Sequence, residues 1–333
     1  MSSKTFNNIP LSVLDLAPVL EGSTPKESFQ NSVKLAQNVE KLGFNRYWMA
    51  EHHNIPGIAS SATPVLIGHI AGATNTMRVG SGGVMLPNHS SLIVAEQFGT
   101  LESMYPDRID LGLGRAPGTD QQTVFAIRGK LDQHPEDYPR QVEELEDYFA
   151  GTAAVQSVPG EGLNVPIWLL GSSGFSAKMA AQKGLPYSFA SHFAPDNTVA
   201  ALDLYRTYFT PSEALAEPHA MIGVNVIAAD TEEEARYLNT TQQQQVLNMH
   251  RGQPGKLQPP IENPDEAFSQ MDKAIIEQSS NSPYTVIGTK ETVRKKLEEL
   301  LESTGADEMI INSSIYDIDA RIHSYEIVSE LMD

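Results

Sequence analysis

Short apolar runs alternate with longer segments whose apolar residues recur at helical spacing along most of the 333-residue chain, a pattern that predicts strand followed by helix, repeated. Residues 11–16 predict a strand, and residues 28–42 carry Phe29, Val33, Leu35, Ala36, Val39 and Leu42 near helical spacing until Gly43 stops the helix. The units continue as strand 44–50 with helix 64–74, glycine-rich strand 77–86 with helix 91–104, and strand 108–114 with a delayed helix over 136–149. Strand 166–170 with helix 175–183 and strand 186–190 with helix 195–209 follow. A seventh strand, 220–229, runs into a helix whose start is signalled by Asp230, Thr231 and Glu234. Residues 239–282 hold a glutamine run, a Pro/Gly-rich patch and a further helical stretch, and read as an insertion after the seventh strand. Helix 291–303, strand 308–312 and helix 317–331 complete the eighth unit.

Eight such units with no break in composition predict an α/β fold, a closed (β/α)8 TIM barrel occupying residues 1–333 as a single domain; two packed α/β domains would share much of the pattern. In barrels of this kind the chemistry sits at the carboxyl ends of the strands. Four of those ends are unusual here. The second strand ends in Glu51, His52, His53 and Asn54. Side chains alternate on an extended segment, so the two histidines face opposite ways and make a poor metal pair, and no metal site is expected. The cluster serves either catalysis or the satisfaction of buried backbone at the rim. The third strand carries Gly80, Ser81, Gly82 and Gly83, which either admit a flat ligand to the backbone or form a bulge that helps the barrel close. The fourth ends at Arg115, an anion-binding candidate on a stretch poor in side chains. After the fifth, Gly171, Ser172, Ser173, Gly174, Phe175 and Ser176 lead into a helix, an arrangement that exposes N–H groups to phosphate and that also serves as an ordinary N-cap. Two anion features on neighbouring strands reinforce one another. Neither a P-loop nor a Rossmann glycine fingerprint is present.

Charge and composition narrow the partners. Forty-two acidic against 23 basic residues give a formal charge of −19, which repels phosphate backbones and anionic lipid, so neither nucleic acid nor a membrane is an expected partner. Any phosphate-bearing cofactor must then be gripped locally by arginine and backbone N–H groups. The chain has no cysteine, which removes thiolate nucleophiles and disulfides and leaves redox chemistry to a bound cofactor. Residues 1–10 lack a basic segment followed by an apolar run, and no stretch is apolar enough to span a bilayer; a cytoplasmic location is expected.

Taken in order, the Glu51-His52-His53 cluster, the segment from Val79 through Gly83 to Pro87, Ala95-Glu96-Gln97, the run from Asp107 to Arg115, and Gly171 to Gly174 resemble the bacterial luciferase-like flavin-dependent monooxygenases, in the branch of luciferase-family oxidoreductases of group 1 type. The resemblance extends over nearly the whole chain and implies the barrel, FMN, molecular oxygen and a homodimer. It also implies roles. His52 matches the catalytic histidine. Ser81, Gly82 and Gly83 match the segment that lies against the isoalloxazine, often through a cis peptide that is not before proline. Arg115 matches the arginine that pairs with the FMN phosphate, and Ser172, Ser173, Gly174 and Ser176 match the groups around that phosphate. His192, ending the sixth strand, either lines the pocket or caps backbone. Gly114 and Ser191 stand where the light-emitting luciferase subunit has a cysteine and a tryptophan, so bioluminescence is not expected. The implied reaction transfers one oxygen atom to a small organic substrate, with reduced FMN supplied by a partner flavin reductase. Three rivals remain: a flavin-, nicotinamide- or deazaflavin-dependent reductase or dehydrogenase on the same barrel, a non-catalytic flavin-binding protein, and, disfavoured by the adjacent histidines, a metal-dependent barrel hydrolase. The insertion is either a lid or a surface elaboration.

Overall fold

Period-two alternation along the strands sorts the apolar residues into an outer and an inner shell. In the computed structural model, which describes residues 3–129 and 137–333, the strands are β1 (Thr5–Phe6), β2 (Ile9–Asp15), β3 (Arg46–Met49), β4 (Arg78–Ser81), β5 (Val84–Met85), β6 (Ile109–Gly114), β7 (Ile167–Gly171), β8 (Tyr187–Phe189), β9 (Ala220–Ala228), β10 (Thr285–Gly288) and β11 (Glu308–Asn312). Eight of them close a parallel ring in the order β2, β11, β9, β8, β7, β6, β4, β3, with β3 pairing back to β2. This is the (β/α)8 barrel that the sequence predicts. Leu11, Val13, Tyr47, Met49, Ile109, Leu111, Met309 and Ile311 face outward and pack with the surrounding helices in the main core. The intervening Leu14, Trp48, Trp168, Met221 and Ile310 face inward as a separate small cluster.

Charge fills the floor of that inner space. Arg46, the first residue of β3, bonds both Asp110 on β6 (2.8 Å) and Glu308 on β11 (2.9 Å), while Arg78 on β4 takes the other oxygen of Asp110 at 2.7 Å. The Trp48 indole N–H also donates to Asp110, and the Ser12 hydroxyl and His219 reach Glu308. Gly80 exists for this network, because a Cβ there would lie 2.5 Å from the Asp110 carbonyl oxygen and 2.9 Å from the Trp48 indole nitrogen. Trp48 and Trp168 stack edge to face at 5.2 Å, and the Arg46 guanidinium lies 4.8 Å from the Trp168 ring.

The predicted elements differ from the structure in several places, beginning with the unpredicted β1, which pairs antiparallel with β2. The predicted strand over 77–86 is two strands, β4 and β5, separated by a cis Gly82–Gly83 peptide. A helix, Gln121–Arg128, opens with Asp120 accepting from the Thr123 N–H in the gap left before the delayed helix; the latter is Asp137–Ala150, and its predicted first residue, Glu136, lies outside the described residues. The predicted insertion start at 239 falls inside a continuous helix, Glu232–His250. Finally, β10 is an unpredicted strand that pairs with β9 off the ring.

Burial pushes the Glu308 carboxyl up, but Arg46, His219 and Ser12 more than offset this and hold it at about 2. The unfolded chain therefore binds a proton that the native state refuses between the ordinary value of 4.5 and about 2, so this stabilisation is complete above pH 4.5 and is lost as pH falls through 2. Glu308→Gln leaves Arg46 a buried cation with one partner fewer and should cost about 3 kcal/mol at neutral pH. It should also flatten the acid loss of stability. Urea unfolding at a series of pH values checks both, and identical acid slopes in the two proteins would exclude Glu308 as the group responsible.

Candidate active site

Above the tryptophan pair the barrel opens into a cavity of about 940 Å³, at the upper end of the range for small-molecule sites. Leu14, Trp48, Leu170 and Ile310 form its apolar base, and the loops at the carboxyl ends of the strands form its wall. Val246 and Met249 of helix Glu232–His250, with Pro254, Gly255 and Leu257 of the following loop, close one side. That loop is tied down: Leu257 donates to the Val19 carbonyl at 2.9 Å and accepts from the Glu21 N–H at 2.8 Å. The segment read as an insertion is thus part of the cavity wall.

Glu51 governs the end of β3. Its carboxylate, 1% exposed, meets His53 Nε2 at 2.8 Å and His89 Nε2 at 2.9 Å, and accepts from the Met85 N–H at 3.0 Å and the Asn88 amide at 3.2 Å. Burial raises the carboxyl's pKa, but His89, His53 and the Met85 N–H outweigh burial and lower it overall, so Glu51 is ionised. With His53 turned to Glu51, alternation sends His52 into the cavity. Burial lowers the His52 pKa from 6.5, with a smaller opposing pull from Glu51, and its buried Nδ1 has no partner among the described residues. Of the two roles left open for this cluster, the satisfaction of buried backbone falls to Glu51, and His52 is the histidine that faces the cavity. His89 and Asn88 carry no local sequence signal, because they meet Glu51 only through the fold.

Arg115 follows β6, lines the cavity, and pairs with no carboxylate among the described residues. Its guanidinium sits 4.4 Å from the ring of Phe175, which belongs to the first turn of helix Gly174–Lys183. The cation is thereby held at that helix's amino end. Ser173 is the N-cap, yet its side chain makes no cap hydrogen bond, and Ser172, Ser173 and Ser176 all line the cavity. The start of the helix, the serine hydroxyls and a guanidinium without a carboxylate partner thus border the same part of the cavity, donors of the chemical kind that suits an anion. Gly174 starts the helix but does not line the cavity.

Of the third-strand group, Gly82 and Gly83 face the cavity, and a Cβ on Gly82 would meet Leu14 at 2.9 Å. Ser81 does not face it: its hydroxyl donates to the Gly112 carbonyl at 2.8 Å and accepts from the Gly112 N–H at 2.9 Å, joining β4 to β6 where the ladder parts. His192, after β8, does line the cavity, in space that Gly223 leaves; a Cβ on Gly223 would fall 2.1 Å from His192 Nδ1. Asn225 fixes its backbone by donating to the His192 carbonyl at 3.1 Å. No group of histidines and acidic residues with metal-holding geometry occurs among the described residues.

Burial and then the nearby His52 lower the His192 pKa to about 4. Below pH 6.5 the unfolded imidazole gains a proton that the native one refuses, so this residue subtracts stability as pH falls from 6.5 to 4. Histidine-selective NMR, assigned with His192→Asn, should find that ring neutral until about pH 4; a midpoint at 6.5 would mean that the imidazole is solvated.

A family model described as luciferase-like monooxygenase matches residues 9–308. A luciferase-like monooxygenase of Escherichia coli K12 is 49% identical over 332 residues, covering 99% of this chain and 98% of that protein. Among solved structures, apo-MsnO8 is similar with a TM-score of 0.87 at 35% identity, covering 97% of this chain and 98% of the other. The oxygenating constituent of 3,6-diketocamphane monooxygenase from Pseudomonas putida, solved in complex with FMN, shares the fold at TM-score 0.72 and 16% identity over 97% of each chain. The chain belongs to the luciferase-like monooxygenase family and is an oxidoreductase of that family.

Proposed function

We propose that this protein binds reduced FMN in the barrel cavity and uses molecular oxygen to oxygenate a small organic substrate. The observation that carries the proposal is the meeting of Arg115, free of any carboxylate partner among the described residues, with the start of helix Gly174–Lys183 at the edge of the cavity that His52 enters. The FMN held by the similar Pseudomonas putida structure supports it. So does the size of the cavity, which has room for a flavin and a substrate together.

Arg115, Ser172, Ser173 and Ser176 would hold the phosphate, and Gly82 and Gly83, bare of side chains, would accept the ring. Reduced flavin held there would bring the two electrons that let oxygen give one atom to the substrate and the other to water. The protein's own share is positioning and the exclusion of water. Leu14, Trp48, Leu170 and Ile310 keep the base of the cavity dry, while Glu51, by engaging His53, orients His52. An imidazole with a lowered pKa is neutral near pH 7, so His52 can donate or accept a proton at the reacting centre without bringing a fixed charge. The chain has no nicotinamide fingerprint, which supports delivery of reduced FMN by a separate reductase, and the working form is taken to be a homodimer. No helix among the described residues is long and apolar enough to cross a membrane.

Riboflavin carries the same ring without the phosphate and so isolates the cradle. A hydrogen bond to a charged group contributes about 1.5–3 kcal/mol, so Arg115→Ala should weaken FMN binding roughly ten- to a hundredfold and leave riboflavin nearly unaffected. Fluorescence titration of both ligands into both proteins gives the double difference. Equal losses for the two ligands would make Arg115 a structural residue and remove the basis for FMN.

A further inference from the structure

The ring order sets β11 four strands from β6, across the barrel from Arg115. The cavity wall on that side is built of neutral polar side chains. Asn225 of β9 pairs in register with Asn312 of β11 and with Thr285 of β10, and all three line the cavity. Alternation agrees with this placement: Met221 and Ile310 point inward on β9 and β11, so Asn225 and Asn312, an even number of residues further on, point inward too. Helix Glu232–His250, which carries the glutamine run, packs against β10. Gln242, Gln245, Val246 and Met249 recur at helical spacing and turn one face of it to the cavity, whereas Gln244 turns away and donates to the Pro259 carbonyl at 2.8 Å.

A backbone carbonyl only accepts, and this fixes how the two asparagines sit. Asn225 Nδ2 donates to the His192 carbonyl at 3.1 Å, which turns Asn225 Oδ1 towards Asn312, and Asn312 Nδ2 donates to that oxygen at 3.0 Å. Asn312 Oδ1 is left over as an acceptor. That oxygen, the Thr285 hydroxyl and the Gln245 amide belong to half-buried residues of the cavity wall. None of the three has a hydrogen-bond partner among the described residues, and none is sealed from solvent. We propose that Asn312, Thr285 and Gln245 orient the organic substrate by a neutral carboxamide group, with Asn225 as the positioning residue that sets the direction of Asn312. The proposal rests on the monooxygenase reading and extends it to a substrate class. Asn312 Oδ1 requires a donor, so a ketone, an ester or a carboxylate would set oxygen against oxygen there. An ammonium would donate, but no carboxylate stands among these three residues to offset its desolvation. A carboxamide gives its N–H to Asn312 and accepts at its carbonyl from the Thr285 hydroxyl or the Gln245 amide, so both ends are satisfied and no charge is buried.

Fluorine NMR titration of the whole protein, with and without saturating FMN, tests this with N-methyltrifluoroacetamide and N,N-dimethyltrifluoroacetamide, which share a carbonyl and differ in the N–H. Wild type should bind the N-methyl amide about three- to tenfold more tightly than the dimethyl amide, and more tightly than trifluoroacetate. Asn312→Ala should remove the preference between the two amides and leave FMN affinity unchanged. Asn225→Ala keeps Asn312 but frees its amide to turn, and should erase most of the preference as well. Thr285→Val combined with Gln245→Leu removes the donors to the shared carbonyl, so it should weaken both amides alike, about threefold or more, and keep the preference. Should Asn312→Ala fail to fold, the other two proteins carry the comparison. Equal binding of the two amides by wild type, no binding of the N-methyl amide, tighter binding of trifluoroacetate, or a preference that survives Asn312→Ala or Asn225→Ala would each overturn the assignment. The expected preferences in a protein with no affinity for FMN would uphold the carboxamide site and sink the flavin reading; FMN binding without the preferences would do the reverse.

Discussion

A buried lattice of opposite charges, Arg46 with Asp110 and Glu308 and Arg78 with Asp110, plugs the amino end of the barrel and determines what the carboxyl end can be. A closed eight-stranded ring has room inside for side chains or for a ligand, not for both at one level. The ions and the two tryptophans above them fill the lower levels, so that the upper level is left as a cup. The arrangement is costly to disturb in part, since each ion's desolvation is offset only by its partners. It also ties β3, β4, β6 and β11 to one another, and from the ends of the first three extend His52, Gly82 and Arg115.

Above the plug, alternation divides the labour at each strand end. On β3 the register that points Trp48 inward sends Ala50 and His52 inward too, while Glu51 becomes the clasp that fastens His53, His89 and the Met85 N–H. On β4 the inward positions are Gly80 and Gly82. The first makes way for Asp110 and Trp48, and the second opens onto the cavity, so a single glycine-rich stretch answers to packing at one position and bares backbone to the cavity at the other. The same logic operates at β9, where Gly223 gives up its side-chain space to the His192 ring.

The ring strands were legible because each is a short apolar run followed by an amphipathic helix, and the strand ends were legible because polar residues there break the apolar pattern. What was not legible depends on distance along the chain or on elements too short to show a period. Glu51 and His89 lie 38 residues apart and meet only when β3 and the loop after β5 are side by side. Thr285–Gly288 is four residues long and follows a proline and a tyrosine, so it merges with the loop before it. Helix Gln121–Arg128 has one buried residue, Val124, and so offers no apolar stripe to read. Ser81 belongs to the motif that pointed to the cavity, yet alternation turns its hydroxyl into the ladder with Gly112, a distinction that a string of glycines and serines does not convey.

The structure of the protein with FMN bound is the most direct test of a flavin site in this cup. The phosphate should lie within hydrogen-bonding distance of Arg115 and the start of helix Gly174–Lys183, the isoalloxazine against Gly82 and Gly83, and His52 at the open face of the ring. A phosphate seated away from Arg115, or a ring lying away from His52, would contradict it.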